Sequence, residues 1–390
     1  MDKLVLIDGH SILNRAFYGV PDLTNAEGLH TNAVYGFLNI MLKILEEEKA
    51  DHLAVAFDLP EPTFRHKMFD AYKGTRKPMP EELREQVPLI KEALTAMEIP
   101  ILTLAGYEAD DILGTVAKRC QEKGAEVSVV SGDRDLLQLA DSHIKIRIPK
   151  TSRGTTEIHD YYPEDVKREY QVSPEEFIDV KALMGDSSDN IPGVPSIGEK
   201  TATSLIVSYG SIENAYAHLE EIRPPRAQKA LGEHYDLAQM SKELATICTR
   251  CPVEFSYEDA KVENLYTPQA FRFMKRMGFK SILSRFSPDA AGENPLEIKE
   301  QFQVITGRKE AEAVLKRARN AAVTGMQLIL PLQCFLRKKA VQEKNSFPFL
   351  SMMQAALSRM KQKKARFLQR QVWGFVWERR RFTVSVPGKR

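Results

Sequence analysis

The strongest constraint in this chain is a pattern that recurs: a short apolar run that ends on an aspartate. Residues 4–7 run into Asp8, residues 52–57 into Asp58, and residues 126–130 into Ser131, Gly132 and Asp133. Helix-period stretches lie between them, at about 31–48 and 109–123, and a further apolar run spans 101–104. Strands separated by helices predict an α/β chain with a mostly parallel central sheet flanked by helices. In such sheets the site lies beyond the carboxyl ends of the strands. The three aspartates stand there.

More acids crowd the same segments: Glu108, Asp110 and Asp111 in YEADD, Asp135 beside Asp133 in SGDRD, and Asp186 and Asp189 in GDSSDN. Nine carboxylates on one rim could not all stay ionised, because repulsion and desolvation raise their pKa values. Divalent cations resolve this, and hard oxygen donors suit Mg²⁺ or Mn²⁺. Two such ions, about 3.5–4 Å apart, can serve the attacking and leaving oxygens of a phosphoryl displacement. Helical spacing puts Glu108 and Asp111 on one face and Asp110 on another. A turn would pair Asp186 with Asp189 in the same way. Any one of these acids alone reads as a helix cap, a turn former or a solvated charge, and Asp58 before Leu-Pro as a strand end. The joint pattern favours a metal site.

Charge distribution fits that reading. The net charge of +2 divides into +13 over residues 331–390 and −11 over residues 1–330. An acidic body on a nucleic-acid enzyme is paradoxical, since phosphate contact needs Lys and Arg, unless many of the acids are gathered as ligands. No run approaches the roughly 20 apolar residues of a membrane span, and the start, MDKLVLIDGH, has an acid inside its apolar run, unlike a signal peptide. Four cysteines are too few for a disulfide framework and suit a reducing cytoplasm. Cys248 and Cys251 form one CxxC with no second pair, so zinc is not expected.

Basic residues cluster between 59 and 80: Arg65, Lys67, Lys73, Arg76 and Lys77, interleaved with Phe64, Phe69 and Tyr72. That combination can hold a single strand by charge and stacking; it reads as well as a solvated loop with a few core aromatics. Residues 163–250 read as helical around a Gly/Pro/Asp/Ser-rich loop near 185–200, with Pro163, Pro174 and Ser211 as start signals. Gly193 and Gly198 before Lys200 open a helix over 201–209, a site where a backbone can approach a phosphate. Residues 286–298 read as a linker and 301–330 as strand–helix–strand.

Five long motifs, LIDGHSILNRAFY, VAFDLPEPTFRHKMFDAYKGTRKPMPEEL, GYEADDILGT, VVSGDRDLLQL and LMGDSSDNIPGVPSIGEKTA, occur in the order and approximate spacing of the 5′-nuclease family of bacterial DNA polymerase I. The chain resembles that family, a relative of the flap endonucleases, over about residues 1–290. The resemblance implies a PIN-like nuclease core over 1–170 with a helical arch near 59–97, and a helix–hairpin–helix DNA-binding region over 171–290. It implies a two-metal site, Mg²⁺ or Mn²⁺, with Asp58, Glu108, Asp110 and Asp111 serving the first ion. Asp133, Asp135, Asp186 and Asp189 would surround the second, with Asp8 between. It further implies that Lys73 and Arg76 engage the scissile phosphate, with Arg15 a phosphate contact and Tyr72 a weaker stacking candidate. Gly193, Gly198 and Lys200 would grip duplex DNA, with K⁺ on nearby main-chain carbonyls. Ser196 stands where the family commonly has glycine, a tolerable change unless the position needs a positive φ. Partners implied are DNA with 5′ flaps, nicks or RNA primers, for a monomer acting in the cytoplasm on the nucleoid.

Residues 291–330 resemble a linker and the start of a 3′–5′ exonuclease-like domain, but the strand AAVTGMQLI carries no acid, so proofreading is not expected, and no polymerase domain is expected. The last 60 residues hold 15 Lys and Arg, two acids and both tryptophans. They read as a frameshifted or misjoined tail, or as a basic DNA-binding tail. The leading function is a 5′–3′ exonuclease and flap endonuclease. A DNA-structure-binding module would have shed several of the acids, and a compact PIN-like ribonuclease would not need the arch or the duplex grip.

Overall fold

The computed structural model describes residues 2–152 and 155–287, together with strand segments 302–303, 327–329, 374–378 and 381–385. In chain order the first part runs β1 (Lys3–Asp8), α1 (Gly9–Gly19), α2 (Asn32–Glu48), β2 (His52–Ala56), α3 (Phe64–Met68), α4 (Glu81–Arg84), α5 (Gln86–Ala96), β3 (Ile101–Leu102), α6 (Ala109–Glu122), β4 (Glu126–Val130), β5 (Ile144–Ser152) and β6 (Thr155–Tyr161). Six strands form one sheet in the order β3-β2-β1-β4-β5-β6. All neighbours are parallel except β5 and β6, which pair as an antiparallel edge. The α/β expectation is met.

Alternation along β1 shows why the sheet is buried on both faces. Leu4 and Leu6 pack with Ile112, Leu113 and Val116 of α6, while Val5 and Ile7 pack with Ile12, Phe37 and Met41 of α1 and α2. All four are fully buried, as a central parallel strand with helices on both faces requires. Gly9 lets α1 begin directly over β2: a Cβ there would stand 2.4 Å from the Phe57 ring. Asp8 caps α1, accepting from the Ser11 N–H at 3.0 Å, so the end of β1 and the start of α1 share one carboxylate.

Helices follow: α7 (Pro163–Tyr170), α8 (Pro174–Met184), α9 (Glu199–Tyr209), α10 (Ile212–Ala217), α11 (Pro225–Glu233), α12 (Tyr235–Ala245) and α13 (Pro268–Met277). The expected starts hold: Pro163 and Pro174 open α7 and α8, and Ser211 caps α10 by accepting from Asn214. The boundary differs from the expected single helical block. Helices α8, α9 and α12 join the α6 side of the core, whereas Phe273, Met274 and Met277 of α13 pack with α2 and α5 on the other side. Residues 1–290 accordingly form one compact unit. Apolar spacing alone cannot say which side of a sheet a late helix covers.

Within residues 291–390, segments Phe302–Gln303, Gln327–Ile329, Gly374–Glu378 and Arg381–Ser385 form a four-stranded sheet in the order first, fourth, third, second. The expected linker from 288 onward and the helix expected between the strands of 301–330 lie outside the described residues. No helix among the described residues is long and apolar enough to cross a membrane.

Candidate metal centre and its counter-charges

At the carboxyl ends of β1, β2 and β4 the chain sets Asp8, Asp58 and Asp133, and the first turn of α6 adds Asp110. A network of short bonds holds them. Ser131 Oγ donates to Asp8 Oδ2 at 2.8 Å and accepts from the Asp133 N–H at 3.0 Å. The Ala109 N–H donates to Asp58 Oδ1 at 2.8 Å, which ties the end of β2 to the start of α6. His10 Nδ1 lies 3.3 Å from the Asp58 carboxylate.

The electrostatics of these four acids are unresolved by the protein itself. Burial first, and then repulsion from Asp58 and Asp133, push Asp8 up to about 6, against the Ser11 and Ser131 hydrogen bonds. Burial raises Asp110 well above the usual carboxylate range, with Asp8, Asp133 and Asp58 adding repulsion. Burial would also raise Asp58, but His10, the Ala109 N–H and Lys73 hold it down to about 2. An all-oxygen set under mutual repulsion has the chemistry that a divalent cation relieves.

The other five acids are in a different state, because cations of the chain already hold them. Arg65 takes both oxygens of Asp111 at 2.9 Å and reaches Glu108 at 3.3 Å. Lys73 Nζ donates to Glu108 Oε1 at 2.8 Å, and Arg76 pairs with Asp189. Lys181 Nζ lies 2.8 Å from Asp135 and also pairs with Asp186. The two partners of Lys181 respond in opposite directions. Burial with repulsion from Asp133 raises Asp135 to about 6, whereas Lys181 and Ser188 outweigh burial and lower Asp186 to about 2. Among the described residues no three His, Cys, Asp or Glu side chains stand ready as a metal-binding group.

Several sequence expectations are corrected here. Asp111 is already satisfied by the chain: it is fully buried, and besides Arg65 it accepts from the N–H groups of Glu108 and Cys248. Glu108 and Asp111 do share a face, as the spacing predicts, but that face meets Arg65, and Asp110 on the other face meets Asp8 and Asp133. The grouping into Asp58, Glu108, Asp110 and Asp111 against Asp133, Asp135, Asp186 and Asp189 does not match these partners. The turn at 186–191 forms, and Ser188 Oγ donates to both Asp186 and Asp189, but beyond it the two carboxylates go to different cations. Tyr72 is 3% exposed, and its hydroxyl donates to Glu108 and Asp189 at 3.1 and 3.2 Å, so its ring is not offered to a base.

The basic segment is tied down rather than open. The Lys73 N–H donates to the Asp189 carbonyl, Thr75 Oγ1 to that of Ser187, and Asn190 Nδ2 to that of Ala71. Only α3 and α4 flank it as helix, with turns at residues 70–75 and irregular chain at 76–80 between them. Arg15 lies beside Gly132, and its buried Nε has no hydrogen-bond partner among the described residues. At the start of α9, Gly198 and Lys200 are exposed, and a Cβ on Gly198 would meet open space. Gly193 is different: it is buried against Gly185, its N–H donates to Ser241 Oγ, and a Cβ would stand 2.4 Å from the Gly185 nitrogen. It shapes the loop instead of meeting a phosphate. Ser196 has φ 71°, so the position does favour glycine, and the substitution is less neutral than expected.

Sequence reading missed Lys181 and the pairing of Arg65. Lys181 precedes Asp186 by five residues on α8, a weak local signal. Arg65 and Asp111 are 46 residues apart, and nothing in a single sequence couples them.

Comparison with known proteins follows the same geometry. A family model for the 5′-3′ exonuclease N-terminal resolvase-like domain matches residues 3–171, and one for the 5′-3′ exonuclease C-terminal SAM fold matches residues 172–267. DNA polymerase I of Bacillus caldotenax is 48% identical over 295 residues, covering 75% of this chain and 33% of that protein. DNA polymerase I of Bacillus subtilis (strain 168) is 46% identical over 304 residues, covering 78% and 34%. The chain thus spans about a third of the length of these relatives. The T5 D15 protein co-crystallised with metal ions shares the fold, with a TM-score of 0.53 at 22% identity over 74% of this chain and 98% of that one. With adjoining domain models matched from residue 3 to residue 267, the chain belongs to the 5′–3′ exonuclease family.

Proposed function

We propose that the chain hydrolyses DNA as a structure-specific 5′ nuclease, using two divalent cations, Mg²⁺ or Mn²⁺. The observation that carries this reading is the set of four carboxylates, Asp8, Asp58 and Asp133 at the carboxyl ends of parallel strands and Asp110 in the first turn of α6, without sufficient cations of their own. These four would hold the first ion, and Asp133, Asp135 and Asp186 the second. Bound divalent cations supply an activated water and neutralise charge on both oxygens of the displaced phosphodiester.

The protein's own groups do the rest. Lys73 and Arg76, now on Glu108 and Asp189, carry the positive charge that would meet the scissile phosphate when the substrate arrives. Arg15 places its guanidinium charge beside the Asp133 loop. Gly198 and Lys200 at the start of α9 offer N–H groups and charge to the duplex backbone, and carbonyls of the 193–200 loop would hold K⁺. Substrates are DNA with 5′ flaps, nicks or RNA primers, and products are a 5′-phosphate and a 3′-hydroxyl. The relatives' name, DNA polymerase I, supports a role in replication and repair; a monomer acting in the cytoplasm is part of the same reading. We read residues 321–329, which hold no acid, as lacking proofreading chemistry, and the tail over 331–390 as a shifted or misjoined frame, which sequencing the source DNA tests.

The deciding experiment incubates the full chain with a 5′-labelled flap duplex in Mg²⁺ and in EDTA. Expected is cutting near the junction in Mg²⁺ alone, lost in Asp133→Asn. Tight flap binding with no cutting at any metal concentration would make the protein a DNA-structure-binding module.

A further inference from the structure

Two cations of the chain sit deep in the rim, and they differ in kind. Arg65 clamps Asp111 with a planar fork, both side chains are sealed from solvent, and Leu244 and Thr246 carbonyls take its remaining N–H groups. Lys181 is a point charge on a flexible stem. It bridges Asp135 from the SGDRD loop and Asp186 from the GDSSDN loop, segments joined only by the tertiary fold. Its side chain is 12% exposed, but it borders a cleft of about 920 Å³ that Arg134, Lys200 and the outer face of α9 also line. Arg65 has no exit. Lys181 has one.

Charge balance at this bridge is incomplete. One ammonium between two carboxylates leaves a net negative charge, and Asp133 adds repulsion on Asp135. An oxygen-seeking ion of charge +2 meets the same oxygens with twice the charge. The ion and the ammonium, whose nitrogen lies 2.8 Å from Asp135, repel each other and compete for the same two carboxylates. Resting on the two-metal reading above, we infer that Lys181 is the displaceable counter-ion of the Asp135–Asp186 pair. It holds the two loops together without metal and weakens the second cation's binding by competing for the same oxygens. On displacement the ammonium moves into the cleft beside Arg134 and Lys200, where it adds positive charge on the side that meets DNA. Lys181 therefore acts as a positioning residue through the acids.

The test is Mn²⁺ binding to the full chain without DNA, followed by electron paramagnetic resonance, for the wild type, Lys181→Met and Lys181→Arg. Removing a like charge from the site is expected to tighten the weaker Mn²⁺ step about tenfold in Lys181→Met. Lys181→Arg, which keeps the charge, is expected to stay near the wild type. Melting gives an independent readout: in EDTA, Lys181→Met unfolds at lower temperature than the wild type, and saturating Mn²⁺ restores it. Equal or weaker Mn²⁺ binding by Lys181→Met overturns the counter-ion inference while leaving the metal reading intact. No Mn²⁺ binding by any of the three proteins overturns both.

Discussion

Two groups of acids share one rim and are built from the same residue types, yet they differ in how their charge is met. Asp8, Asp58, Asp110 and Asp133 face one another, with only His10 and the more distant Lys73 to offset them. Glu108, Asp111 and Asp189 are paired with Arg65, Lys73 and Arg76, and donor groups from two loops complete their shells. The first group keeps unmet negative charge: burial and that repulsion raise Asp8 and Asp110. The second acts as internal scaffolding that sets the basic segment 65–76 against the acid-bearing loops. Unmet charge, more than the number of carboxylates, separates the two groups.

The sharpest way to break this comparison is to neutralise one member of each group. Asp110→Asn should lower flap cleavage on the order of 10³-fold, while its melting temperature in EDTA rises, since a repelling charge is gone. A fall in that melting temperature would place Asp110 with the scaffold acids. Asp111→Ala should do the reverse, leaving the Arg65 guanidinium buried without its bidentate partner. Urea unfolding in EDTA should show a loss of about 3–5 kcal/mol, and a loss below about 1 kcal/mol would show that Asp111 is not structural.

Metal itself separates the groups next. Saturating Mg²⁺ should stabilise the wild type by about 2–3 kcal/mol relative to EDTA, because ligand binds only the folded chain. Thermal melting should show that gain shrinking strongly in Asp8→Asn. It should persist in Tyr72→Phe, which loses only the hydroxyl bonds to Glu108 and Asp189. The smallest expected effect lies farther out, at the start of α9. Ser196 holds φ 71°, a region that costs a non-glycine residue about 1 kcal/mol. Its Oγ accepts from Arg226 at 3.0 Å, which offsets part of that. Ser196→Gly should therefore raise unfolding free energy by about 0.5 kcal/mol in a denaturant titration.

Local physics made much of this protein readable. Apolar runs ending in Asp8, Asp58 and Asp133 identified three strands and their functional ends, because a buried parallel strand needs an unbroken apolar sequence. Proline and serine at helix starts were equally legible at α7, α8 and α10. Tyr72 and Gly193 are more enclosed than the sequence suggests, for one shared reason. An aromatic ring among lysines and a glycine before a helix look available to a ligand until their neighbours are known. Here those neighbours are Glu108 and Asp189 for the tyrosine, and Gly185 for the glycine.

By itself, the sequence determined the sheet class and the acids at its strand ends. Tertiary structure alone decided which of them are already neutralised. The physical reason is range: periodicity, capping and turns act within a few residues, whereas Arg65 meets Asp111 across 46 residues and Arg76 meets Asp189 across 113. Such pairings depend on how helices and loops close over the sheet, and they divide chemically identical side chains into scaffold and site.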